Sequence, residues 1–371
     1  MSWTDSFAEA TELEIPSQLV RSQDRSPCSA EELNLDDDRI GSGPPVSVIV
    51  TTYRDGNYLP DALESIGEQT YGNLELIVVD SSGLEWLEQL NEEHSWIEYM
   101  YQKPRGVSAA RNAGIARASG EYVAFLDADD YWHPEKIERQ IAALEDRGDV
   151  SYTCYYFVKF WGRDEPVVKL RDRHRHAVNS ARVALTRQRI DAHTSTLVVR
   201  SSVLPDRPFR ENLKNFEDIV FAIELFSEYE PVHVEEPLSV RRLRRGSLSD
   251  RTPETSKVQS RIEAYEYLSR EYPDLQPHAR RMQAREEFKL GWTYLEQGDK
   301  DRAKQYFRRS IHHAPSNYKA MMLYLVSLAP IDGKTTCHIL ERLYDSFSGG
   351  FRGKNRGKVK QDSRVSIRPL H

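Results

Sequence analysis

Cysteine is scarce in this sequence. Its 371 residues hold three, Cys28, Cys154 and Cys337, and no CxxC or Cys/His grouping occurs. An odd, scattered set argues against a disulfide framework or a zinc site and points to a reducing compartment. Excess positive charge is also missing. A net charge of −7 argues against a general nucleic-acid binder, which carries a basic face. Long apolar runs are absent too. The longest, Ala320 to Pro330, is interrupted and falls well short of the roughly 20 residues a membrane-spanning helix needs. No basic segment followed by an apolar run opens the sequence, so no secretory signal is expected. These absences predict a cytoplasmic protein, at most peripheral on the cytoplasmic face of the membrane.

What is present is an ordinary globular balance, 39% hydrophobic and 29% charged, in a chain long enough for one large domain with an appendage or for two domains. Charge is unevenly placed. Residues 1–45 hold ten acids against three arginines, and residues 349–371 hold seven Lys or Arg against one Asp. The first 43 residues read as an acidic, flexible leader closed by Gly43-Pro44-Pro45. The basic tail, 346–371, would be drawn weakly to anionic lipid.

Between them the pattern is regular. Val46–Thr52 and Leu74–Val79 are short, β-branched apolar runs, as in buried strands of a parallel sheet. Ile97–Tyr101 and Tyr122–Leu126 are further strands. Leu59, Ala62, Leu63 and Ile66 recur at helical spacing. Gly106–Ala118 reads as a small-residue helix, and Pro134 opens another that runs to about Arg147. Strand and helix alternating at these lengths predict an α/β fold of right-handed βαβ units. Ligands in such sheets bind beyond the carboxyl ends of the strands, where Asp80 and Asp127 stand. Residues 151–250 are less regular: a basic loop from Lys169 to Arg189, a strand at Ser195–Arg200, a helix over about Phe216–Tyr229 and a basic segment, Arg241–Ser249. Residues 257–330 read as helical.

Phe125-Leu126-Asp127-Ala128-Asp129-Asp130 puts three carboxylates within four residues, just past a buried strand. Their mutual repulsion is relieved by a divalent cation, and carboxylate oxygens suit Mg²⁺ or Mn²⁺. Such a cation clamps a diphosphate as it leaves. A solvated acidic turn would read the same way on these residues alone. Leu290-Gly291, Tyr294, Gly298, Ala303, Phe307 and Pro315 fall at the offsets of one tetratricopeptide repeat, which packs on its neighbours and could take a protein partner.

Several motifs occur together and in order. Pro45–Tyr53, Leu59–Ile66 and Gln69-Thr70-Tyr71 resemble the opening of family 2 glycosyltransferases. So do Leu76–Ser82, Gly106–Gly114 and Gly120-Glu121-Tyr122 running into the aspartate cluster. The resemblance covers 45–160 strongly and 190–250 weakly. It implies a GT-A fold, in which a nucleotide-binding half (44–135) precedes an acceptor half (136–250). A helical region (251–345) then follows the 44–250 domain. It also implies an inverting transfer of a sugar from a UDP- or GDP-linked donor to a glycan or polyprenyl-linked acceptor, with Mg²⁺ or Mn²⁺. A polyprenyl-phosphate sugar synthase of the same fold and a non-catalytic scaffold are the alternatives.

By the same resemblance, Thr51, Tyr53, Asp55 and Asp80 face the nucleoside, and Arg111 and Asn112 line its pocket. Asp127 and Asp129 form the DxD pair, phosphate or ribose side and metal side. Ser81 stands where many relatives have a second Asp, which leaves base selectivity open. Glu217-Asp218, opening an apolar-striped helix, resembles the family's acceptor-activating pair, with Asp218 the general base and Glu217 the runner-up. Arg241–Ser249 resembles a loop that closes over the diphosphate, Arg242 and Arg244 supplying guanidinium groups.

Overall fold

The computed structural model describes residues 41–145, 148–159, 167–170, 193–243 and 247–328, together with Leu33 and Leu35. The rest of the acidic leader, residues 171–192 of the basic loop, Arg244 and the basic tail lie outside the described residues. The described chain divides into two compact units, one ending at Ala279 and the other starting at Arg280.

The first unit is built on a nine-stranded sheet. Strands β1 (Val46–Thr52), β2 (Leu74–Asp80), β3 (Ile97–Tyr101) and β4 (Tyr122–Asp127) run parallel in the order β3-β2-β1-β4. The connections carry helices α1 (Leu59–Gly67), α2 (Trp86–Glu93) and α3 (Val107–Ile115). These are the βαβ units that the apolar runs predict, with α2 an addition. Val48, Val50, Leu76, Val78, Ala124 and Leu126 point into one core with Leu59, Leu63 and Ile66 of α1. Gly114 lets α3 lie close on β1, because a Cβ there would stand 2.5 Å from Ile49 Cγ2.

Past β4 the sheet changes character. A two-residue strand, β5 (Tyr131–Trp132), leads into α4 (Lys136–Leu144) and the long β6 (Val150–Lys159), followed by β7 (Val167–Leu170). A 3₁₀ turn at Thr194–Thr196 opens β8 (Leu197–Arg200), which joins β4 to β6 in antiparallel fashion. Helix α5 (Glu217–Glu228) then leads to β9 (Val232–Leu243), which pairs parallel with β6 and antiparallel with β5. The sheet is therefore mixed, although most paired residues lie in parallel ladders. The segment read as irregular with a basic end is in fact β9. Its interior charges and Pro237 mask the strand pattern, and its partner β6 lies some eighty residues upstream.

An aromatic trio fixes α5 against this sheet. Phe125 of β4 meets Phe209 and Phe221 edge-on at 5.4 and 5.8 Å, and those two rings lie 4.2 Å apart. Each such pair contributes about 0.5–1.5 kcal/mol beyond its buried area. Helix α6 (Glu254–Glu271) packs beside α5.

The second unit begins inside α7 (Gln276–Glu296) and continues with α8 (Lys300–His313) and α9 (Tyr318–Ser327). Helices α7 and α8 run antiparallel, with Phe288 against Phe307 and Tyr294 stacked on Tyr306. Gly291 is where they come closest, since a Cβ there would stand 2.7 Å from the Phe307 ring. Gly298, at φ +84°, makes the turn between them. Glu287 is fully buried in this hairpin and accepts from Arg309 Nε at 2.9 Å and pairs with His313 Nδ1 at 2.8 Å.

No helix among the described residues is long and apolar enough to cross a membrane.

Candidate active site

Parallel register brings the acids together. Thr52 pairs with Asp80 and Thr51 with Asp127, so the ends of β1, β2 and β4 stand side by side. Beyond them the chain must turn, and the two halves of the sheet meet.

Asp80 is fully buried. Its carboxylate accepts from the backbone N–H groups of Ser82, Gly83 and Leu84 at 2.6, 2.8 and 2.7 Å. It thereby shapes the loop after β2, where Ser82 Oγ accepts from the Arg54 amide at 2.6 Å. Arg54 itself sits at φ 63°. Thr51, near the end of β1, is half-buried, and on the loop that follows Tyr53 is exposed and Asp55 half-buried. The structure thus gathers these four residues at one strand end, with Asp80 underneath as the support.

Arg111, on α3, is the centre of the site. It is 4% exposed, and its guanidinium donates to Asp127 Oδ1 at 2.6 Å, Glu217 Oε1 at 3.0 Å and Thr194 Oγ1 at 3.2 Å. Phe209 lies under it at 5.2 Å. Asn112 is used differently. It clamps the backbone of Phe209, donating to the carbonyl at 2.8 Å and accepting from the amide at 2.9 Å. Its side chain therefore holds the segment that carries Phe209.

The three cluster aspartates part ways. Burial would raise the Asp127 carboxyl, but the adjoining Arg111 guanidinium outweighs it and holds the group below the usual range. Asp129 is half-buried in the turn after β4. Asp130 is buried and turned inward, accepting from Ser195 Oγ at 2.7 Å and from the Arg242 amide at 3.1 Å. Burial, with Asp129 and Asp127 alongside, pushes its carboxyl well above the usual range. Among the described residues no three His, Cys, Asp or Glu side chains form a ready metal cage. Asp127 and Asp129 are both half-buried, at and just past the end of β4. That set fits Mg²⁺ or Mn²⁺, which take one or two carboxylates and complete their shell with phosphate oxygens and water.

Glu217 and Asp218 open α5, behind Phe216 at φ 73°. A left-handed phenylalanine costs on the order of 1–3 kcal/mol. Its ring packs edge-on to Tyr265 at 5.6 Å. Glu217 is buried, and burial together with Asp218 lifts its carboxyl to about 6 despite Arg111. Asp218 is half-buried and accepts from the Ile219 amide at 2.8 Å.

Adjacent residues of a strand point to opposite faces, and β9 separates its two arginines accordingly. Arg242 turns its guanidinium, fully buried, to Asp61 of α1 at 2.6 Å, between the rings of Tyr58 and Tyr131, each 5.1 Å away. The guanidinium is thus committed to α1, whereas a diphosphate contact was expected of it. Arg241 faces the aspartates: burial opposes its charge, but Tyr155, Asp130, Asp218 and Asp127 hold it firmly protonated.

The turn His193–Thr196 was also missed. Thr194 touches Arg111, and Ser195 supports Asp130 and accepts from the Asp127 amide at 3.2 Å. His193 is buried, its ring 4.4 Å from Tyr155, and burial with Arg241 pushes it well below the usual imidazole range. A run of small polar residues leading into a strand was the available signal.

Acids gathered beyond the carboxyl ends of parallel strands, with cations from a second half closing on them, define an α/β domain built to hold an anionic ligand. Residues 47–204 match the family model described as Glycosyl transferase family 2. An uncharacterized glycosyltransferase of Rickettsia felis is 35% identical over 122 residues, 32% of this chain and 20% of that protein. Glycosyltransferase GlyA of Streptococcus pneumoniae is 38% identical over 117 residues, 30% of this chain and 17% of that protein. The matched stretch thus spans about a fifth of these relatives. Crystal structures of S. aureus TarS 1–349, alone and in complex with UDP-GlcNAc, share the GT-A-like fold. Their TM-scores are 0.56 and 0.55, each at 18% identity, covering 83% and 76% of this chain and 93% and 90% of the other.

Proposed function

We propose that the chain is an inverting glycosyltransferase that moves a sugar from a UDP- or GDP-linked donor to a glycan or polyprenyl-linked acceptor. One observation carries the reading. Asp127 at the end of β4 and Glu217 at the head of α5 share one buried guanidinium, Arg111, at 2.6 and 3.0 Å. This sets a donor-side acid against the acid pair of α5.

In this reading the donor lies beyond β1, β2 and β4, over Thr51, Tyr53, Asp55 and the loop held by Asp80. Asp127 and Asp129 would hold Mg²⁺ or Mn²⁺, which when bound would supply positive charge beside the donor's phosphates. Asp218 takes the acceptor hydroxyl's proton as that oxygen attacks the anomeric carbon. The bond to the diphosphate breaks on the opposite face, and the diphosphate leaves with the electron pair. Arg241 and Arg111 supply fixed positive charge to that region. Residues 44–250 are the transferase domain in this reading. The region 251–345, whose described part is helical to Ser327, is an appendage with one tetratricopeptide-like hairpin, open to a protein partner.

Thermal unfolding with UDP or GDP, with and without Mn²⁺, tests the proposal. A ligand that binds only the folded chain must raise its stability by mass action. The UDP-GlcNAc complex of TarS makes UDP the first nucleotide to try. The expected result is a cation-dependent rise in midpoint that Asp129→Asn abolishes. No rise with either nucleotide sinks the reading; a rise that survives in Asp129→Asn removes Asp129 from the cation site.

A further inference from the structure

Arg111 does more than line a pocket. Its guanidinium is 4% exposed and bonded to two carboxylates, Asp127 16 residues downstream and Glu217 106 residues downstream. Asp127 ends a strand of the parallel half, and Glu217 begins the helix that carries Asp218. Thr194 Oγ1 fills a third direction, donating weakly toward Asp127 at 3.4 Å while accepting from Arg111. Phe209 closes the flat face. The fork is thus pinned on both acids, and its charge is divided between them.

A divided charge has a physical consequence. A divalent cation arriving at Asp127 repels the guanidinium and competes with it for the same carboxylate. Whatever Arg111 gives up at Asp127 it keeps at Glu217, the remaining anion within reach. Conversely, a Glu217 without charge leaves the guanidinium wholly to Asp127, where it opposes the incoming cation. Two sites that bias one shared element are coupled, and the coupling acts equally in both directions.

We propose that Arg111 is a positioning residue that links cation and diphosphate binding at Asp127 to the setting of Glu217 and Asp218 at the head of α5. The proposal rests on the transferase reading. It makes donor binding the event that finishes the acceptor side, so that the acid pair is set when a donor is in place.

A double-mutant cycle tests it. Affinities for Mn²⁺ alone and for UDP with Mn²⁺ are measured by titration calorimetry in the parent, Glu217→Gln, Arg111→Lys and the double variant, with Arg111→Met as a fifth protein. Lysine keeps the charge and favours folding, but a single ammonium cannot span both acids as the guanidinium fork does. Glu217→Gln is expected to weaken UDP–Mn²⁺ binding about fivefold or more, the lower end of ordinary coupling between sites. In the Arg111→Lys background the same change is expected to alter affinity less than about twofold. A purely structural arginine would not produce that pattern. The side-chain N–H signal of Arg111 in proton–nitrogen spectra, assigned by its loss in Arg111→Lys, should also move when Mg²⁺ and UDP are added. An unchanged affinity in Glu217→Gln, an equal loss in both backgrounds or an unmoved Arg111 signal overturns the inference alone. A parent chain that binds neither Mn²⁺ nor either nucleotide overturns the transferase reading, and the inference with it.

Discussion

In the first half of the sheet, β1, β2 and β4 run parallel and deliver Thr51, Asp80 and Asp127 to neighbouring positions by register alone. In the second half, β9 carries Arg241 and Arg242 side by side and sends one to the aspartates and the other into the core beneath α1. The first half positions charge by where strands stop. The second positions it by which face of a strand a residue occupies. Charge at a strand end meets solvent and ligand, while charge along a strand meets either the site or the core, one residue apart.

The largest test of this contrast is at the head of α5. Asp218→Asn keeps size and hydrogen bonding but cannot take a proton, and turnover should fall on the order of 10²–10⁴-fold. Nucleotide affinity, measured on the same preparation, should stay near the parent's, as the proposed acceptor-side role of Asp218 requires. A collapse of nucleotide binding would move Asp218 to the donor half.

Core and site arginines are separated by Asp61→Ala. This change leaves the Arg242 guanidinium buried without its carboxylate, which typically costs about 3–5 kcal/mol. Urea unfolding should show that loss, with the folded fraction binding UDP and Mn²⁺ as the parent does. Weakened nucleotide binding in the folded fraction would return Arg242 to the diphosphate.

Glu217 gives a smaller effect with a definite sign. Its carboxyl rises from 4.5 to about 6 on folding, because of burial first and Asp218 second. The folded state therefore holds the proton more tightly than the unfolded one. That contribution to stability is complete below about pH 4.5 and is lost as pH rises through about 6. The whole change is about 2 kcal/mol, at 1.36 kcal/mol per unit of pKa. Glu217→Gln should flatten the fall in stability across that window in denaturant melts; an unaltered pH dependence would place the titration elsewhere.

The helical unit provides the smallest. Asp299 caps α8 by accepting from the Arg302 amide at 3.1 Å. Asp299→Ala should cost about 1 kcal/mol and leave turnover per folded molecule unchanged. A loss of turnover would show that the hairpin serves the reaction.

How far the sequence could be read follows the same division. Strands buried on both faces read as apolar runs, so β1, β2 and β4 and the acids that end them were legible. Glu217 and Asp218 were legible because they open an apolar-striped helix. Arg241 was not, because β9 carries Glu235, Glu236 and Pro237 and owes its strand form to pairing with distant β6. The sequence assigns no role to His193 and Thr194, and Ser195 reads only as the start of a strand. They are buried because Arg111, Asp127 and Asp130 take up the hydroxyls of Thr194 and Ser195, which no local pattern announces. Asp80 and Asn112 were found by motif, yet each makes its shortest bonds to backbone, a support role that residue type does not reveal.

The reach of Arg111 also bears on how the chain folds. Strands β1 to β4 are joined by short crossovers, whereas β6 must wait for β9, and Arg111 for Glu217, across roughly eighty and one hundred residues. Long-range pairings form late, because the entropy of closing a long loop must be met before the contact rewards it. The parallel half can therefore assemble on an emerging chain with its aspartates still hydrated. The ion pair that completes the site is among the last contacts made. A half-folded molecule would then present the strand-end aspartates without the α5 carboxylate that Arg111 ties to them.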